Sequence, residues 1–417
     1  MIAREFIREF FRRQGLWMMS ANALSKVFGF AAVVYVTRNT TEEAFGAYSY
    51  ALNIVLVLVP FMGLGTYQSF LRYSSDAPGQ STKKDLFYYS HARGIFFSII
   101  LVAALLLLAP LLCSSIPESV EPFRILAFLV LTTLNMEFVK SYARAIHKNG
   151  IAAKIEISYA IILLVLTIAL TSVYGILGYA AAVSTAPFFA VIFYGWKLNL
   201  AGYKWASLDS IFKGFWKYGL FTTVGALLAQ LFYAVDVFMI GQFVGEKATA
   251  VAIYRVAVII PIATLVLPIS ISATDYVNNS ANKNKPKELR DYIYNYWCTF
   301  GFLSLASLAT LYFIAPWLLG VFGANYEDGA EVMRIFLVGS LGAHLLRVPF
   351  GNLLSAVGKA DWNTYINVIV LTFTVLVCWY FIPLYGIHGA ATAMAIMMWV
   401  SGGLNALFFY FYLKSLK

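Results

Sequence analysis

Between Gln14 and the C-terminus, no more than about twenty residues ever pass without an apolar run long enough to cross a bilayer. A chain built this way has nowhere to put a soluble domain. Twelve runs are read: 14–36, 45–67, 88–109, 122–143, 151–173, 176–196, 216–240, 248–272, 292–314, 331–353, 364–383 and 387–412. In lipid each must close its backbone hydrogen bonds within itself, so each is expected to be a helix. The fold class is therefore an all-α polytopic membrane protein. Composition agrees: 61% of the 417 residues are hydrophobic and 12% charged, about half the charged share of a soluble domain.

The cations segregate. Of the 30 Lys and Arg residues, twenty-three fall at the termini and in or beside alternate connections. Arg38, Arg124, Lys247 and Arg334 lie at the opposite ends, and Lys26, Arg255 and Arg347 lie inside spans. By the positive-inside rule both termini are expected to face the cytoplasm, which requires an even number of spans. The net charge of +10 is spread over these connections and makes no nucleic-acid patch. The first 13 residues, MIAREFIREFFRR, read as an amphipathic basic segment lying in the interface. No short apolar region with a small-residue cleavage site is read ahead of the first span, so 14–36 is expected to stay as a span. Cys113, Cys298 and Cys378 and the four histidines have no metal-ligand spacing, so no metal and no cofactor is expected.

The chain repeats itself. YGILGYAAA at 174–182 returns as YGIHGAATA at 385–393, and TTEEAFGAYSYA at 40–51 has a fainter echo in KATAVAIYRVA at 247–257, with Tyr48 falling on Tyr254. Similar offsets at separated places predict two six-span halves, 14–205 and 206–417. Such repeats are a transporter signature, with substrate handled where the halves meet.

Charges inside spans mark candidate sites, because lipid penalises each by about 2.5–3.5 kcal/mol. Lys26 sits near the middle of the first span, with Asn22 one turn back and Ser25 and Gly29 beside it. Asp236 shares a predicted face of span 7 with Gln230 and Tyr233. Arg255 in span 8 falls at the height of Asp236, since the two lie at similar distances from the turn near Glu246. They suit either an ion pair or a site that binds an anion beside a tuning acid. Glu137, Lys140 and Arg144 line the inner half of span 4, and the repeat carries Glu137 and Lys140 to His344 and Arg347. These read as helix-end pairs or as a cationic vestibule. Glu156 is read as interfacial, and Tyr292, Tyr294, Tyr296 and Trp297 as an aromatic belt. Pro261, Pro268 and Pro349 are expected to bend their helices.

TTEEAFGAYSYA, GLGTYQSFLRY (63–73), AVDVFMIGQFVG (234–245) and YGILGYAAA together resemble the polysaccharide transporter family. That family holds the O-antigen and other lipid-linked oligosaccharide flippases, within the superfamily of multidrug extruders and lipid II flippases. The resemblance covers essentially the whole chain. It implies a flippase-like fold of two six-helix lobes working by alternating access. The implied cargo is an undecaprenyl-pyrophosphate-linked oligosaccharide, moved to the outer leaflet of a bacterial inner membrane. The implied partners are membrane lipids and a polysaccharide polymerase with its assembly proteins. Lys26 and Arg255 match the family's phosphate-binding cations by helix. Asn22, Gln230, Arg347 and Lys140 are then expected to bind substrate, and Asp236 and Glu137 to couple an ion (H+ or Na+) or tune charge. The absence of charge between Phe45 and Tyr67 argues against lipid II as cargo. An ion-coupled multidrug or small-solute antiporter of the same fold is the alternative. An enzyme is not expected: the acids of the outer loops (Glu118, Glu121, Glu327, Asp328) have neither base nor metal partner.

Overall fold

Among the described residues of the computed structural model, eight helices are long and apolar enough to cross a membrane, and the bent pair Phe215–Phe232 and Val235–Phe243, taken as one span, is a ninth. The structure describes residues 15–75, 77, 79–200 and 214–416; the N-terminal amphipathic segment and the 205/206 division lie outside them, and the side chain of Asn22 is likewise not described. Among the described residues there is no strand.

Two of the eight helices, Asn149–Lys197 and Ala360–Ser415, have 49 and 56 residues. At 1.5 Å per residue either would reach more than twice the thickness of the hydrocarbon core. Each is in fact two arms joined at one glycine. Gly175 has φ 57°, ψ −136°, and Gly386 has φ 56°, ψ −133°, a region that only glycine enters without strain. The arms fold back sharply. A Cβ placed on Gly178 would lie 2.1 Å from the carbonyl oxygen of Leu170, and one on Gly389 would lie 2.2 Å from that of Phe381. Further along, Ser158 Oγ meets Tyr194 Oη at 3.1 Å, and the rings of Trp362 and Phe408 pack 5.6 Å apart. These pairs straddle the two glycines nearly symmetrically. The YGILG and YGIHG repeats are therefore the same turn built twice, into spans 5–6 and 11–12. With Gly15–Asn39 as span 1, the described helices supply the twelve crossings that the sequence predicts.

The second span of the first half is broken, and that of the second half is interrupted at a single residue. Glu42–Leu58 starts at Thr41, whose Oγ1 accepts from the N–H of Ala44 at 3.3 Å, with Glu42 and Glu43 in the first turn; both features suit a helix N-terminus. The helix ends in the 3-10 segment Val59–Gly65, where Gly63, Leu64 and Gly65 all have positive φ, and resumes at Thr66–Ser74. Gly65 (φ 77°) packs against span 7: a Cβ there would lie 2.1 Å from the carbonyl oxygen of Gly219. In the other half, Lys247–Thr264 gives way to Val266–Ala281 at Leu265. That point lies between Pro261 and Pro268, where bending is expected.

Contacts between helices divide the chain into two compact units. One is Ser20–Ala234; the other runs from Val235 onward and includes the beginning of span 1. In the first, span 4 (ending in Leu129–Ala145) packs along the Asn149–Lys197 hairpin. In the second, Ala330–Gly342 packs along the Ala360–Ser415 hairpin.

Candidate substrate and coupling sites

In the first unit the charges gather around Lys140. Burial leaves it 4% exposed, and a lone ammonium at that position would be prohibitive. Two carboxylates compensate it. Lys140 Nζ donates to Glu137 Oε1 at 2.7 Å, one turn back on span 4, and to Glu156 Oε1 on span 5. The acids are partly open, their side chains 22% and 30% exposed. Glu156 is thus the second partner of a buried cation and not a free interfacial acid. Glu137 and Arg144 both lie close enough to act on Tyr67, and Glu156 close enough to act on Tyr159. The cluster also reaches span 1, where Ser25 Oγ donates to the backbone oxygen of Glu156 at 3.3 Å. One residue further, Lys26 is exposed along with its neighbours Leu24 and Val27.

In the second unit Asp236 is 4% exposed, and its carboxylate has two close donors. Tyr254 Oη donates to Oδ2 at 2.6 Å and the N–H of Val237 to Oδ1 at 2.7 Å. Arg255 and Cys378 lie near enough to interact with its charge. The structure thus brings Asp236 and Arg255 together, as their equal height predicts, and adds a hydrogen bond from Tyr254. Sequence reasoning named that tyrosine only as the repeat partner of Tyr48. Its role shows in the spacing all the same: it lies one residue before Arg255 at the same depth. Tyr48 packs its ring 4.6 Å from that of Tyr179. The predicted shared face of Gln230 and Asp236 does not follow from a continuous helix, because span 7 is interrupted between Phe232 and Val235. Gln230 is half-buried.

His344 sits among hydroxyl groups, unlike Lys140 with its two carboxylates. His344 is 1% exposed and lies in a π-helical segment, Ala343–Arg347, just before Pro349. Thr264 Oγ1 donates to the carbonyl oxygen of Pro261 at 2.6 Å, so the Thr264 hydroxyl oxygen in turn accepts from His344 Nε2–H at 3.1 Å. Nδ1 then accepts from Ser304 Oγ at 2.9 Å. Arg347 is half-buried. A second π-helical segment, Trp297–Gly301, faces the first. Tyr296 Oη donates to the carbonyl oxygen of His344 at 2.8 Å and Trp297 Nε1 to that of Leu345 at 2.9 Å. A wide π turn frees carbonyls from the regular ladder, and these side chains take them up. Tyr292 and Tyr296 are 9% and 1% exposed, so the expected aromatic belt is largely an internal clamp; Tyr294, 68% exposed, fits the belt reading.

Among the described residues no group of three or more His, Cys, Asp or Glu side chains is placed to hold a metal.

An all-helical membrane protein with twelve crossings, paired glycine-turned hairpins and charges held inside its spans has the architecture of a transporter of the multidrug/oligosaccharidyl-lipid/polysaccharide type. The solved structures it is similar to have that fold. An inward-facing multidrug resistance MATE family transporter of the MOP superfamily superposes with a TM-score of 0.75 at 16% identity, covering 96% of this chain and 98% of that one. The lipid II flippase MurJ, in an inward closed conformation, gives 0.76 at 16% identity, covering 95% and 87%. A MOP superfamily transporter from Pyrococcus furiosus gives 0.69 at 16% identity, covering 97% and 95%. The chain belongs to the polysaccharide biosynthesis protein family, whose pattern matches residues 11–274. The MatE pattern matches residues 222–380. No curated protein matches by sequence.

Proposed function

We propose that this protein flips an undecaprenyl-pyrophosphate-linked oligosaccharide, an O-antigen or similar repeat unit, from the cytoplasmic to the outer leaflet of a bacterial inner membrane. One observation carries the choice of an anionic cargo. The acids that the sequence puts inside spans are engaged: Asp236 by Tyr254, Glu137 and Glu156 by Lys140. Lys26, by contrast, is exposed in the middle of its span. A pyrophosphate-linked sugar cannot cross lipid bare, because desolvating its charge is too costly. Cations held at membrane depth lower that barrier. In this reading Lys26 and Arg255 meet the pyrophosphate, with Asn22, Gln230 and Arg347 lining its path. Asp236 moderates the hold of Arg255, and Glu137 that of Lys140, so that the cargo is released. Membership in the polysaccharide biosynthesis family supports the same class of cargo.

The test is to replace Lys26 and Arg255 singly with alanine in cells that display the glycan. Surface glycan is expected to fall at least tenfold with protein level unchanged; normal display in either variant overturns the assigned roles. The MatE match over 222–380 favours a second reading, an ion-coupled multidrug antiporter. That reading requires the purified protein in liposomes to accumulate a fluorescent organic cation.

A further inference from the structure

A second feature of the first unit is unrelated to Lys26 or the cluster around Lys140. Spans 3, 4 and 6 leave a crevice of about 370 Å³ on the unit's flank. Its walls are Phe87 and Tyr88 from span 3, Val139 from span 4, and Ile192, Gly195 and Trp196 from span 6. Phe87, Tyr88 and Val139 are buried, while Ile192 and Trp196 are 51% and 71% exposed, so the crevice opens sideways. It also holds His91 and Asn135, but these satisfy each other. Asn135 Nδ2 donates to the carbonyl oxygen of Leu131 at 2.8 Å, which turns its Oδ1 toward the N–H at His91 Nε2, 2.9 Å away. The imidazole stacks on Phe87 at 5.2 Å. The interior thus presents mostly carbon and ring faces, which suit a hydrocarbon chain.

The rim is cationic. Lys84, in the first turn and a half of Gln80–Leu112, holds its ammonium 5.8 Å from the ring of Tyr88. Lys197 is the last residue of Asn149–Lys197, follows Trp196 directly, and holds its ammonium 5.9 Å from the ring of Phe193, the neighbour of the wall residue Ile192. Both lysines lie at the end of the bundle to which the chain's cations segregate. An apolar slot with Lys84 beside its wall residue Tyr88 and Lys197 next in the chain to its wall residue Trp196 complements a molecule with a hydrocarbon body and a negative head.

We propose that this crevice is a binding site for an anionic phospholipid. The acyl chain lies between Phe87, Val139 and Ile192, and the phosphate is held at the mouth by Lys84 and Lys197. The claim concerns a resident lipid at the basic end of spans 3 and 6, and it stands whatever cargo the protein carries.

The structure supplies a clean way to close the slot. Gly195 is a wall residue, and a Cβ added to it meets nothing within 4 Å, so Gly195→Trp adds bulk at the crevice without displacing backbone. The experiment is native mass spectrometry of the full-length protein, exchanged into micelles containing equal amounts of phosphatidylglycerol and phosphatidylcholine. The parent is expected to retain one phosphatidylglycerol in clear preference. Each lysine beside an anionic lipid is worth roughly a factor of five, so Lys84→Ala with Lys197→Ala lowers that preference about thirtyfold. Gly195→Trp is expected to abolish retention of either lipid at this site while the protein stays monodisperse. Equal retention of the two lipids by the parent, or undiminished retention by Gly195→Trp, overturns the proposal. So does complete displacement of phosphatidylglycerol by equimolar undecaprenyl phosphate, which would give the crevice to a polyprenyl lipid.

Discussion

Replacing Lys140 with methionine removes an ammonium that touches both Glu137 Oε1 and Glu156 Oε1. Methionine keeps the length and volume of the side chain in a site only 4% exposed, so the loss is almost purely electrostatic. Two carboxylates, on spans 4 and 5, are left facing each other without their shared cation. Breaking a buried ion pair in this way costs about 3–5 kcal/mol. The acids here are 22% and 30% exposed, and water reaching them pulls the expected cost toward about 3 kcal/mol. For a unit of roughly two hundred residues that is a fall of about 6–12 °C in the unfolding midpoint, readable by tryptophan fluorescence in detergent. Lys140→Met combined with Glu137→Gln and Glu156→Gln removes the repulsion and is expected to recover most of the fall, since an uncharged replacement of a buried ionic group is often neutral. If Lys140→Met melts within about a degree of the parent, or if the triple variant is no better than the single, the cluster is not held together by the charges assigned to it.

Further tests follow from other particular contacts. Gly175→Ala and Gly386→Ala each force a side chain into a backbone region near φ 57° that it avoids, costing about 1–3 kcal/mol; matched drops in thermal stability are expected, and an unaffected midpoint in either would deny the equivalence of the two hairpins. Gly65→Ala meets the carbonyl of Gly219 and is expected to cost about 3 kcal/mol or more, seen as loss of monodisperse protein on size exclusion. Tyr254→Phe deletes the donor to Asp236 and is expected to destabilise by about 1.5–3 kcal/mol in the same melting assay, with no change counting against that hydrogen bond.

Much of the fold was legible because lipid leaves so few choices. Apolar length gave the spans, and the predicted interruption at 173–176 falls on Gly175, the residue that turns the hairpin. The repeated Tyr-Gly-Ile string was readable as a repeat because the same rare backbone geometry demands the same residue twice. Height within the membrane was also readable: counting from the turn near Glu246 brought Asp236 and Arg255 level. Azimuth was not. Glu156 lies sixteen residues after Lys140, across a turn that starts a new helix, and no periodicity says that it swings back onto span 4. The face drawn through Gln230 and Asp236 assumed an unbroken helix, and Tyr233–Ala234 carry no proline or glycine to warn of the interruption. Tyr296 looked like belt because aromatic clustering marks interfaces; its partner, the freed carbonyl of His344, exists only because of a π turn that the sequence does not announce.

The central claim is that intramembrane cations serve a phosphate-bearing lipid cargo. Its most direct measurement is translocation by the purified protein in proteoliposomes loaded with a labelled undecaprenyl-pyrophosphate-linked oligosaccharide, followed by how fast the sugar becomes accessible to a reagent on the far side. The account predicts protein-dependent flipping that Lys26→Ala and Arg255→Ala each slow at least tenfold. Flipping no faster than in empty liposomes, alongside uptake of an organic cation by the same preparation, would contradict it.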